Sequence, residues 1–217
     1  MIVEPLQMIA AAAFPGGEPI SEFADERIAA AEARLKLPIP DAVKDFYAVA
    51  GARDLKRVHY SMLPPEKLRV DGDHLVFCEE NEGLEDFGIS LENLAALAER
   101  PNPSVQVRRQ GEPRWFCEAG NVSAFLLGME AWQIVLSLPQ RARCNMQNKE
   151  LKGLLAFFEP VGDPKVRLGS QYFGMVDRKN AIIAAYMHTS DTLYVGSAHA
   201  TALDELKKKS QLDFGSL

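Results

Sequence analysis

The sequence predicts an α+β fold. One domain covers residues 21–217, behind an N-terminal extension of residues 1–20, with two N-terminal helices, a central long helix and a C-terminal helix packed on a mostly antiparallel sheet. Three observations lead there. Apolar residues recur at helical spacing in two early segments separated by prolines. Short apolar runs bounded by turn residues fill the middle and the last third. No composition break, internal repeat or low-complexity stretch divides the chain. At 217 residues, 47% of them hydrophobic, the chain can bury a core without disulfide or metal staples.

Residues 1–20 are rich in Ala, Pro and Gly and end in Pro15-Gly16-Gly17-Glu18-Pro19, which reads as a linker. Ser21 offers a helix cap, and Ala24, Ile28, Ala31 and Leu35 then fall on one helical face. Pro38 and Pro40 stop this helix and start the next, where Val43, Phe46, Tyr47 and Ala50 share a face and Gly51 supplies the stop. His74–Cys78 and 83–89 read as paired strands around an acidic turn, and 90–99 as a short helix ended by Pro101 and Pro103. Strands at 105–109 and 114–118 flank the turn Gln110-Gly111-Glu112-Pro113. Asn121 caps a helix over 122–138, whose apolar stripe is Val122, Phe125, Leu126, Met129 and Trp132. Residues 139–170 carry little pattern, and 151–158 fits helix or strand. A meander follows over 171–176, 181–188 and 192–197. The last helix, 200–209, places Lys207-Lys208-Lys209 at the negative end of its dipole.

Composition excludes several function classes. A pI near 5.3 argues against general nucleic-acid binding, which usually needs a basic face. Cys78, Cys117 and Cys144 are odd in number and lack CxxC spacing, so they form no disulfide framework and point to a reducing cytoplasm with buried thiols. Glu4 precedes Leu6–Phe14 with no Lys or Arg before it, so the basic start of a secretory signal is missing. The weakly charged run 119–140 is too polar and too broken for a membrane span. Gly-x-Ser-x-Gly, phosphate-cradling and dinucleotide-binding motifs are all missing, so no enzyme activity and no cofactor are expected. Nor is a metal site. His74 and Cys78, at i and i+4 on one strand face, would stand about 13 Å apart. The other histidines lack ligand-spaced neighbours, and the acidic run lacks the calcium-loop pattern.

The charge is unevenly spread. Between Asp71 and Glu92 stand eight carboxylates and no Lys or Arg, while the whole chain carries -6, so the remainder sums to +2. One face should therefore attract basic partners, and Glu79, Glu80, Glu82, Glu85 and Asp86 are the candidate contacts. The plainer alternative is a solvated hairpin whose charges block edge-to-edge strand pairing. Adjacency alone rules out Glu79 and Glu80 as a glycosidase pair, because strand neighbours point to opposite faces. Trp115 and Phe116 alternate, so one faces in and the other becomes a candidate interface anchor. Trp115 is counted among the partner-binding candidates. Cys117, beside them, reads as a core thiol.

The order of elements resembles the SUKH superfamily, which groups bacterial toxin-immunity proteins with fungal regulators of cell-wall synthesis. The resemblance rests on Leu37-Pro38, Phe46 and Gly51; on Glu80-Asn81-Glu82-Gly83 followed by Phe87-Gly88-Ile89; on Pro103-Ser104-Val105; on Trp115; and on Ser123, Phe125, Leu126 and Leu127. Glu82 stands where the family usually has Gln, Phe87 where it has Trp, and no Asn-Gly-Gly follows the second helix. The resemblance spans roughly 25–205 and implies a non-enzymatic protein-binding domain that neutralises a toxin by direct contact. A basic toxin such as a nuclease would suit the acidic turn, with no direct nucleic acid or membrane contact. The alternative it leaves open is a regulatory scaffold binding a housekeeping partner; an enzyme with an unrecognised site ranks last.

Overall fold

The structure is a computed structural model of the chain and describes residues 2–13, 25–50, 59–146, 153, 156–161, 172–210 and 212–216. It is α+β, as predicted. Among the described residues the helices are α1 (Val3–Ala13), α2 (Asp25–Leu35), α3 (Asp41–Ala50), α4 (Leu91–Ala95), α5 (Val122–Ser137) and α6 (Ala202–Ser210). The strands sort into two antiparallel sheets. The first holds β1 (Tyr60–Met62), β2 (Arg69–Asp71), β3 (His74–Glu80), β4 (Glu85–Ser90), β5 (Val105–Arg109) and β6 (Phe116–Ala119). The second holds β7 (Gln140–Asn145), β8 (Glu159–Pro160), β9 (Tyr172–Asp177), β10 (Ile182–Met187), β11 (Thr192–Ser197) and β12 (Gly215–Ser216). The chain divides into two compact units, Met1–Val3 with Pro19–Leu126, and Glu4–Glu18 with Leu127–Leu217.

In the first unit the sheet order is β1-β3-β4-β5-β6, with β2 also paired to β3. Its core gathers Leu75, Phe77, Cys78, Phe87, Ile89 and Val107 with Phe46, Tyr47 and Phe125. Phe125, on the first turns of α5, meets Phe77 edge-on at 5.8 Å and Phe87 at 5.1 Å. Each such ring contributes about 1.5–3 kcal/mol of burial. The Pro-rich elbow between α2 and α3 is held by Glu32, which accepts from the Ile39 amide at 2.8 Å and pairs with Lys44 at 2.8 Å. The Tyr47 hydroxyl donates to the Leu63 carbonyl at 2.5 Å, and burial raises its pKa above the ordinary phenol value. Asn121 and Ser90 cap α5 and α4, accepting from Ala124 at 2.8 Å and Asn93 at 3.2 Å.

In the second unit the order is β12-β7-β11-β10-β9-β8. α5 continues here from Leu127 to Ser137, and its buried residues run all round the helix, as an apolar helix without a polar face requires. Two glycines let it lie close to the sheet. A Cβ on Gly174 would stand 2.8 Å from Ala131 Cβ, and one on Gly196 would stand 3.1 Å from the Val135 carbonyl oxygen. A buried cluster of Ala142, Cys144, Leu193, Val195, Leu203 and Leu206 unites β7, β11 and α6.

Several expectations need correction. The linker reading of residues 1–20 does not hold over Val3–Ala13, which form α1 with Leu6, Ile9, Ala12 and Ala13 buried; alanine is the best helix former, Pro5 sits in the first turn where its missing N–H has no intrahelical partner to lose, and the other prolines and the glycines lie after the helix. Residues 140–145, which carry little pattern in the sequence, form β7 between β11 and β12. Gly51, Ser21, Ala24 and most of 151–158 lie outside the described residues.

Candidate functional site: the β3–β4 hairpin and the outer face of the first sheet

Strand alternation would place His74, Val76 and Cys78 on one face of β3. Instead the register shifts between Val76 and Cys78: Val76 pairs with Gly88, but Cys78 pairs with Phe87. This β-bulge inserts one residue and exchanges the two faces beyond it. His74 therefore lies on the face of Gly88 and Gln106, while Cys78 turns into the core and is fully buried, which raises its thiol pKa. The expectation that His74 and Cys78 share a face is thus overturned. The bulge also decides the fate of the adjacent acids: Glu79 joins the outer face beside Asp86, and Glu80 points inward at 6% exposure.

Glu80 is consequently the keystone of the hairpin turn. Its Oε2 accepts from the Glu82 amide at 2.9 Å and the Leu84 amide at 3.3 Å. Its backbone carbonyl accepts from Gly83 at 2.8 Å, and His59 Nδ1 lies 3.6 Å from Oε1. Gly83 adopts φ 73°, a left-handed conformation that favours glycine. The turn so built holds Leu84 at 49% exposure, with Glu82 also exposed.

The acidic run is not unopposed. Arg69 Nη2 meets Asp86 Oδ1 at 2.7 Å, and its Nη1 lies 3.4 Å from Glu79 Oε2. Arg108 Nη2 bridges Asp71 Oδ2 at 2.5 Å and Asp86 Oδ2 at 2.9 Å. Arg109 Nε reaches Glu85 Oε1 at 3.2 Å. The hydrogen bond to Arg108 holds the Asp71 carboxyl below its usual range, and Asp71 and Asp86 together hold Arg108 more firmly charged. Exposed ion pairs are worth at most about 1 kcal/mol each, so this ladder fixes orientation more than stability. The five acids of the hairpin, Glu79, Glu80, Glu82, Glu85 and Asp86, against these three arginines still leave two negative charges there.

Trp115 folds across the outer face over Gly88, where an added Cβ would stand 3.1 Å from its ring. It stacks on His74 with centroids 4.2 Å apart and planes 13° apart, and Arg108 lies 4.9 Å from the ring centroid. His74 is buried, between Asp73 Oδ1 at 2.7 Å and Gln106 Oε1. Trp115 is half-buried on that outer face, and Phe116, paired with Val107 on the opposite face, is 51% exposed. Cys117 is exposed, which overturns its reading as a core thiol: β6 is the last strand of its sheet among the described residues.

The structure thus brings Glu79, Asp86 and Trp115 to one charged face, sets Glu82 and Glu85 at the hairpin end, and turns Glu80 inward. Charge counting along the sequence misses the arginines. A signal existed in strand pairing, because Glu85-Asp86 and Arg108-Arg109 are opposite-charge dyads in consecutive strands and pair Glu85 with Arg109 and Asp86 with Arg108. A polar cleft of about 300 Å³ lies between the two turns, lined by Leu84, Asp86, Arg108, Arg109 and Glu112 among others. No group of three His, Cys, Asp or Glu among the described residues is placed to hold a metal ion, and no described helix is long and apolar enough to cross a membrane. No protein-family model, curated protein or solved structure matches the chain.

Proposed function

We propose that this chain is a protein-binding module of the SUKH type, a bacterial immunity factor that neutralises a cognate toxin domain in the cytoplasm by direct contact and performs no catalysis of its own. The observation that carries the proposal is the hairpin end: a turn fixed from beneath by Glu80, presenting exposed Leu84 and Glu82 beside a surplus of negative charge. A pre-formed turn loses little conformational entropy on binding, and its field speeds association with a basic surface such as a nuclease cleft. Glu79, Glu85 and Asp86 would meet the partner as existing ion pairs, with Trp115 rigid behind them.

Co-expression with each toxin domain encoded beside the gene, scored by survival of the host cell, tests this. Rescue by the wild type that is lost in Glu82→Lys/Leu84→Ser, with the far-UV spectrum unchanged, supports immunity through the hairpin end. Rescue that persists in the double variant moves the interface elsewhere. No rescue by soluble wild-type protein against an active toxin overturns the immunity reading.

A further inference from the structure

We propose that the cleft between the β3–β4 and β5–β6 turns grips a short main-chain segment of the basic partner. The guanidinium groups lining it take carbonyl oxygens of the segment, and acids on the two turns take its flanking Lys or Arg side chains. The inference rests on the partner-binding reading above and adds the second turn to it. Both walls of the cleft stand without a ligand. Glu80 fixes the β3–β4 turn, the Gln110 amide donates to the Leu84 carbonyl at 2.7 Å, and the Glu112 amide donates to the Arg109 carbonyl at 3.0 Å. The space of about 300 Å³ stands at the small end of ligand sites, so it takes a few residues of a chain rather than a broad surface.

The lining chooses the occupant. Arg108 uses only Nη2 to reach Asp71 and Asp86, and Arg109 uses only Nε to reach Glu85. Their other N–H groups bond no described residue, so both arginines keep donors for an acceptor. A free anion is disfavoured there, because acids outnumber arginines around the cleft. A lone cation would meet two guanidinium groups. A neutral peptide carbonyl meets neither objection. The turns supply the complement to basic side chains: Glu82 on one and Glu112 on the other are exposed and hold no ion pair among the described residues, and Leu84 beside them is 49% exposed. Glu112 stands outside the acidic window of the sequence and joins it only through the pairing of β4 with β5. Carbonyls flanked by Lys or Arg are what a loop of a basic protein presents.

Amide chemical-shift titration of the isotope-labelled full chain with the capped peptide Ac-Gly-Lys-Gly-Lys-Gly-NH2 tests the proposal. The expected result is saturable shifts confined to residues 83–86 and 108–112, weakened as salt rises from about 0.05 to about 0.5 M. The same peptide with Glu for Lys should give none. Glu112→Gln should weaken the peptide about two- to fivefold. Arg109→Ala decides between the gripped carbonyl and plain charge attraction: it makes the cleft more negative, so attraction alone would tighten a basic peptide, whereas the loss of the N–H donors should weaken it about threefold or more. Shifts that do not saturate or lie elsewhere, tighter binding by Arg109→Ala, wild-type binding by Glu112→Gln, or equal shifts with n-butylamine, a cation without a peptide group, would overturn the proposal. The titration uses no toxin, so its failure leaves the immunity reading standing. A chain that binds the peptide but rescues no host cell keeps the cleft and loses immunity.

Discussion

Removing the Glu80 carboxylate should loosen the hairpin turn and cost more stability than any other acid of the run. The side chain is buried, and one oxygen takes both the Glu82 and Leu84 amides. Hydrogen bonds to a charged group are worth about 1.5–3 kcal/mol each. Both amides belong to residues near the surface, so water recovers part of this in Glu80→Ala. The expected net loss is about 2–3 kcal/mol, or about 5–10 °C in melting temperature for a chain of this size. Glu80→Gln keeps an oxygen acceptor but loses the charge and should cost about 1 kcal/mol. Glu82→Ala, which shortens an exposed side chain, should stay within about 0.5 kcal/mol of wild type. Urea unfolding followed by circular dichroism measures all three. If Glu80→Ala and Glu82→Ala prove equally mild, the inward carboxylate does not hold the turn and the argument from the β-bulge is wrong.

Other outcomes can be checked directly. Arg108→Leu should cost about 1–2 kcal/mol at pH 7 by stranding Asp71, leaving Asp86 to Arg69 alone and removing the cation beside Trp115, read by the same unfolding assay. The Asp71 carboxyl has a depressed native pKa, so the stability it contributes is present above its unfolded value near 4 and is lost as the pH falls towards the lower native value; the acid slope of Arg108→Leu should be shallower than that of wild type. An aromatic disulfide reagent should find one fast thiol in the native protein at low concentration, Cys117, and three after denaturation, because Cys78 and Cys144 are buried. A second fast thiol in the native protein would contradict the packing around β3 or β7. Gly196→Val should cost about 1–3 kcal/mol, because even a Cβ meets the Val135 carbonyl at 3.1 Å and Val135 Cα at 3.2 Å, where helix backbone has no rotamer to yield.

Local sequence reaches far into this fold, and its failures have definite causes. α3, α5, the 105–109 strand and the C-terminal meander stand within one or two residues of where period and turn chemistry put them, because each is bounded by Pro, Gly, Asn or Asp and has a full apolar face or run. β7 escaped because Gln140-Arg141-Ala142-Arg143-Cys144-Asn145 buries only two small side chains on one face, a weak alternation to read in a polar segment. β1 and β2 are three residues long, too short for any period to register. α1 is hard to read because its alanines run straight into the prolines and glycines that follow it.

The candidate site divides the same way. The sequence by itself determined that a strand runs into an acidic turn and returns, that Asn121 starts the long helix, and that one of Trp115 and Phe116 faces outward, because these depend on neighbours along the chain. Three things were decided only in tertiary structure. The bulge after Val76 chose Glu80 over Glu79 for burial, an outcome that depends on the register of β4 rather than on β3 alone. Strand pairing brought Arg69, Arg108 and Arg109 onto carboxylates that no count within the window could see them neutralise. The terminal place of β6 in its sheet left Phe116 and Cys117 exposed in a segment that reads as core. Period-two alternation says that neighbouring residues face opposite ways; only the partner strand, through its register and its presence or absence, says which way is in.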